Sequence, residues 1–106
     1  MWEAKYVVNR PVDGLNLTYR IMQSAGIPRN AIVRSNEQYH VLDGACRGVE
    51  AFQDTPALFE VHPSKKGWRI KVAEMGSGYI TRQMVEDVLQ ELGSSPNPQP
   101  LHVQSR

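Results

Sequence analysis

From Trp68 to Ala73 the chain alternates apolar and charged side chains, with Trp68, Ile70 and Val72 in phase and Arg69 and Lys71 between them. Successive side chains of a strand point to opposite faces, so this run offers one face to a core and one to water. Just upstream, Ala57 to His62 sets Phe59 and Val61 against Leu58, Glu60 and His62. The connection Pro63-Ser64-Lys65-Lys66-Gly67 has a proline to fix φ and Gly67 as the residue free to take positive φ. The two runs therefore predict a short antiparallel hairpin.

The segment after the hairpin has to cover its apolar face. Gly76-Ser77-Gly78 reads as a flexible connection. Beyond it Ile80, Met84, Val85, Val88, Leu89 and Leu92 recur at the helical period and make one stripe. Thr81 suits the N-cap and Gly93 the left-handed position after the last turn. Arg82, Glu86, Asp87, Gln90 and Glu91 fall on the wet side. The helix is expected to lie over Trp68, Ile70 and Val72.

Earlier in the chain, Trp2, Ala4, Tyr6 and Val8 share one phase of a strand that Pro11 stops, because proline has no N–H for a ladder. Asp13 is placed to cap a helix with Leu15, Leu17, Thr18, Ile21, Met22 and Ala25 on its apolar side, closed by Gly26 and Pro28. Residues 31–42 fit a hairpin turning at Ser35-Asn36-Glu37, or one longer bent strand. Asp43 then caps a short helical pattern of Ala45, Cys46, Val49 and Phe52, weakened by Gly48. Ser94 to Arg106, with its three prolines and small polar residues, has too little apolar surface to offset its ordering entropy and reads as a flexible tail.

The order is β-α-β-(β)-(α)-β-β-α. It predicts an α+β domain over residues 1–93, with a small, single-layer, mainly antiparallel sheet and the two longer helices on one face; residues 94–106 form the tail. From Asp13 onward the order resembles the α-β-β-β-α succession of double-stranded-RNA-binding domains and of small toxins built on that fold. The resemblance lies in element order alone. The basic segment that those domains carry at the start of the last helix is missing, Arg82 standing by itself.

The sequence excludes more chemistry than it suggests. A formal net charge of +1 argues against a dedicated polyanion binder, though a local basic patch remains open. A lone cysteine, Cys46, forms no internal disulfide and fits a reducing compartment. No apolar leader opens the sequence and no run approaches the roughly 20 apolar residues that span a bilayer, so a cytoplasmic protein away from membranes is expected. No nucleophile motif, metal-ligand spacing or cofactor fingerprint is found, and no catalytic, metal or cofactor residue is assigned. Gly76-Ser77-Gly78 lacks the third glycine of a dinucleotide loop, Thr81 standing in its place. His40, His62 and His102 are read as ordinary histidines. A hydrolase or nuclease would need one of them in a cleft beside a carboxylate or a second base.

What remains is surface. Lys65 and Lys66 on the hairpin turn, Arg69 and Lys71 on the outer strand face and His62 beside them are the candidate site. They would contact an acidic partner protein or phosphates. Trp2 and Tyr6 add a second suggestion: a terminal strand at a sheet edge could pair with a partner strand or with a second copy of the chain, giving a homodimer. The expected function is a small non-enzymatic binding or adaptor protein acting through macromolecular, chiefly protein, interaction. The alternative is a nucleic-acid-binding module using the basic outer face of the 57–74 hairpin.

Overall fold

The computed structural model describes residues 1–42 and 57–99. Its strands are β1 (Trp2–Val8), β2 (Ile32–Ser35), β3 (Gln38–Leu42), β4 (Ala57–Ser64), β5 (Gly67–Val72) and β6 (Pro96–Gln99). They form one sheet in the spatial order β2-β3-β4-β5-β1-β6, and every neighbouring pair is antiparallel. Helices α1 (Gly14–Ala25), α2 (Glu74–Ser77) and α3 (Arg82–Glu91) complete an α+β fold, with a 3-10 turn at Arg29–Ala31 leading into β2. The two longer helices pack on one face of the sheet.

Strand register explains why that face is dry. Ala4, Ile70, Val61 and Tyr39 stand side by side across β1, β5, β4 and β3, and Trp2, Val72, Phe59 and Val41 form the next row. Leu17, Ile21 and Met22 of α1 and Val85, Val88 and Leu89 of α3 close over them. Ile70 and Val72 are fully buried, and each such side chain contributes about 1.5–3 kcal/mol of transfer free energy. Both helices start and stop where expected. Asp13 accepts from the Asn16 amide at 3.0 Å and Gly26 takes φ 74°. Thr81 accepts from the Met84 amide at 3.1 Å and Gly93 takes φ 86°.

Of the two forms expected for residues 31–42 the hairpin is found, Ile32–Ser35 pairing with β3 and Asn36 taking φ 58° in the turn. Several other expectations are corrected. Gly76 and Ser77 belong to the one-turn helix α2 rather than to a glycine loop. Leu15 of the expected α1 stripe is exposed. Trp68 is half-buried beneath the start of α1, not under α3: its indole N–H donates to the Val12 carbonyl at 3.1 Å. A Cβ at Gly14 would stand 2.4 Å from the Trp68 ring and 2.9 Å from the Tyr39 ring, so any other residue there obliges the rings or the helix to shift.

The largest change is at the termini. β1 is an inner strand, paired along residues 2–7 with β5 and along residues 5–8 with β6, so among the described residues only its 2–4 end has no strand on the β6 side; the side chains of Trp2 and Tyr6 serve the core. Part of the expected tail supplies its neighbour, since residues 96–99 pair with β1. Apolar patterning could not announce that strand, because Pro96, Asn97, Pro98 and Gln99 have none. Among the described residues the outermost strands are β2 and β6, and the two prolines of β6 remove two amide donors from its ladder. The expected short helix within 43–56 and the rest of the tail, 100–106, lie outside the described residues.

Candidate partner-binding surface

The β4–β5 hairpin carries the candidate residues to two different places. Lys65 and Lys66 form the turn, closed by the pair Ser64 and Gly67, and both are exposed. Lys66, not Gly67, takes the positive φ, at 62°. Gly67 is needed for another reason. A Cβ on it would lie 1.8 Å from the Tyr6 carbonyl oxygen, so β1 can lie against the turn only over a bare α-carbon. The Val8 amide donates to the Lys66 carbonyl at 2.9 Å and holds the turn against β1. Neither lysine has a carboxylate within ion-pair distance among the described residues.

Arg69, Lys71 and His62 lie instead on the sheet face away from the helices. Arg69 Nη1 is 3.3 Å from Glu3 Oε2. Lys71 stands in register between Glu60 of β4 and Glu3 of β1. Cross-strand neighbours are close enough for opposite charges to offset each other, so this face is a mixed-sign lattice. Lys5, in register with Arg69, is a further cation on it. Among the described residues the five therefore fall into a tip without a nearby carboxylate and a face with carboxylate neighbours.

His62 is buried, which its place on an alternating, water-facing phase did not suggest. Its Nε2 lies 2.8 Å from Glu60 Oε1, and His40 Nδ1 lies 3.8 Å from the same oxygen. The two rings meet edge to face with centroids 6.0 Å apart. The hydrogen bond to Glu60 places a donor proton on His62 Nε2; Nδ1 of that ring is buried with no hydrogen-bond partner among the described residues. Burial pulls the His40 pKa below its ordinary value, Glu60 opposes that shift and His62 adds to it. Among the described residues no group of three His, Cys, Asp or Glu side chains is placed to hold a metal ion. The sequence treated His40 and His62 separately. That both stand beside Glu60 follows only from the β3–β4 register, which puts His40 opposite Glu60.

A groove of about 480 Å³ opens at the hairpin end, between residues 8–12, from the last residue of β1 onward, and Pro63, Ser64, Lys66, Gly67 and Trp68 of the β4–β5 hairpin. Val8, Val12, Pro63 and Trp68 supply apolar lining, and Arg10 and Lys66 supply charge. Its walls are tied down. Asn9 Oδ1 accepts from the Ser94 hydroxyl at 2.8 Å and from the Ser95 amide at 2.7 Å, and the Trp68 indole N–H is already engaged with Val12. Arg10 and the groove were not legible in the sequence, where Arg10 is only the residue before the strand-stopping Pro11.

Fold and surface together describe a small α+β domain with an antiparallel sheet and a basic hairpin tip. The chain matches no protein-family model, no curated protein and no solved structure. No helix among the described residues is long and apolar enough to cross a membrane.

Proposed function

We propose that this chain is a small non-enzymatic binding protein, that its partner is another protein, and that the contact is made by the tip of the β4–β5 hairpin. The observation that carries the reading is the contrast between the two cation groups. Arg69 and Lys71 have carboxylate neighbours, whereas Lys65 and Lys66 are exposed without one among the described residues. Uncompensated charge at a fixed position steers encounter and favours a partner of opposite sign. With a net charge of +1, the field is local and suits a cluster of carboxylates on a partner.

Duplex nucleic acid is the second reading. It is favoured by the register of Lys5 with Arg69, which extends the cations of Arg69 and Lys71 across the outer face. Binding of the full chain to immobilised poly-glutamate and to a DNA duplex, followed against salt, separates the two. Duplex binding falls by roughly 0.9 log units per log unit of salt for each phosphate neutralised. The double variant K65E/K66E is expected to weaken poly-glutamate binding about tenfold or more while leaving the fold intact. Unchanged binding to poly-glutamate by that variant sinks the proposal. A steep salt slope with the duplex alone transfers the assignment to nucleic acid.

A further inference from the structure

Resting on the reading that the hairpin tip is the partner surface, we infer that the groove beside it takes an extended acidic peptide segment of the partner, with one apolar side chain seated against Trp68 and Val12. Tip lysines alone would recognise any negative surface. The groove adds shape and a defined composition.

Charge complementarity is the first reason. Among the lining residues Arg10 and Lys66 are cationic and none is a carboxylate. Arg10 has no ion-pair partner among the described residues, like Lys66. The second reason concerns the floor. Because the Trp68 N–H is bonded to Val12, the indole has only ring surface to offer, which suits an aliphatic or aromatic side chain rather than a polar one. The third is rigidity. One wall is held by Asn9 through Ser94 and Ser95, the other by the Val8 amide on the Lys66 carbonyl. A groove already in its binding shape loses little freedom on association. Two cations around an apolar floor thus describe a ligand with carboxylates flanking one apolar residue. An extended segment is the form that follows a trough between two chain segments.

The test selects a displayed random dodecapeptide library on the full chain, then measures synthetic copies of the enriched peptides by their effect on Trp68, in a Trp2→Phe background so that one indole reports. The expected peptides carry at least two carboxylates around an apolar residue. They should shift Trp68 emission, and should bind about tenfold or more weakly to R10E and to P63E, the latter placing a carboxylate on an exposed position of the wall. K65E, whose side chain is outside the groove, should have a smaller effect. Peptides that bind equally well to R10E and P63E but fail on K65E/K66E overturn the groove assignment and leave the tip reading standing. Enriched peptides without acidic residues, or none enriched at all, overturn the inference, while the poly-glutamate titration decides the tip reading by itself. A measured melting temperature within a few degrees of the parent keeps a misfolded variant from being scored as a loss of binding.

Discussion

Replacing Lys66 by glycine should stabilise this protein, and replacing the neighbouring Gly67 by alanine should damage it, the reverse of what glycine's usual place in a turn suggests. Lys66 holds φ 62°. A left-handed conformation costs an L-residue about 1–2 kcal/mol, and glycine avoids that while losing about 0.5–1 kcal/mol more backbone entropy on folding. The net gain for Lys66→Gly is therefore about 0.5–1 kcal/mol. Gly67 does not have a positive φ, and its difficulty is space: the added methyl would sit 1.8 Å from the Tyr6 carbonyl oxygen, which is backbone and cannot swing away. Real Cβ contacts essentially never fall under 3.0 Å, so β1 and the hairpin end must separate by more than an ångström. That loosens the Val7–Gly67 pairing and the Val8-to-Lys66 bond. Overpacking of this kind costs about 3 kcal/mol, the upper part of the usual range. At about 4–6 °C per kcal/mol for a domain of this size, Lys66→Gly should raise the melting temperature by about 2–6 °C and Gly67→Ala should lower it by about 12–18 °C. Thermal unfolding followed by circular dichroism, with urea midpoints as a check, reads both. A Gly67→Ala protein as stable as its parent, or a Lys66→Gly protein less stable, would refute the account of the turn and of the β1–β5 contact.

The remaining predictions concern buried titratable groups and one close approach. Tyr6 is fully buried, its hydroxyl has no partner among the described residues, and burial, with Glu86 adding and Arg82 opposing, pushes its pKa up to about 12. A raised folded-state pKa means stability is whole below the unfolded value near 10 and is lost as pH climbs toward 12, by about 2–3 kcal/mol; Tyr6→Phe should remove that alkaline loss in urea titrations at pH 9 to 12. His40 has the opposite sign. Its lowered pKa makes the folded state bind fewer protons than the unfolded chain, so stability is full above about pH 6.5 and falls on acidification, and His40→Gln should flatten the profile below that point. Gly14→Ala drives a methyl to 2.4 Å from the Trp68 ring and should cost about 1–3 kcal/mol in spite of alanine's better helix propensity, as urea unfolding would register.

How much was legible in the chain depends on the range of the physics involved. Strand alternation at Trp68–Val72, the helical stripe from Ile80 to Leu92 and the caps at Asp13 and Thr81 are local, and the structure repeats them. Sheet order is not local. Nothing near Trp2 states that β1 will be enclosed between β5 and β6, and the enclosing strand is a proline-containing segment whose pairing comes from β1's free edge rather than from its own pattern. The turn misled for a related reason. Gly67 is the expected bearer of positive φ, but the close approach of Tyr6 from a distant strand demands the glycine there, and Lys66 takes the strained angle. At the candidate site, the residue types were visible and their separation was not. Only register shows that Glu3 and Glu60 flank Lys71 and that His62 and His40 meet at Glu60.

That separation decides how the surface should be read. A formal charge of +1 conceals a spatial division: carboxylates from β1 and β4 accompany the cations of the outer face, while none accompanies those of the hairpin tip or groove among the described residues. The Arg69–Glu3 pair is partly exposed, so it adds at most about 1 kcal/mol to stability. Its larger consequence is electrostatic, since it offsets part of the positive charge of that face. Solvent screening damps the field of exposed charges beyond about 8 Å at physiological salt, so the charges of Lys65 and Lys66 act close to the tip. An approaching acidic surface would meet charge first at the tip and apolar lining next in the groove. Steering comes from one and seating from the other, and the two are separable by mutation because no residue but Lys66 belongs to both.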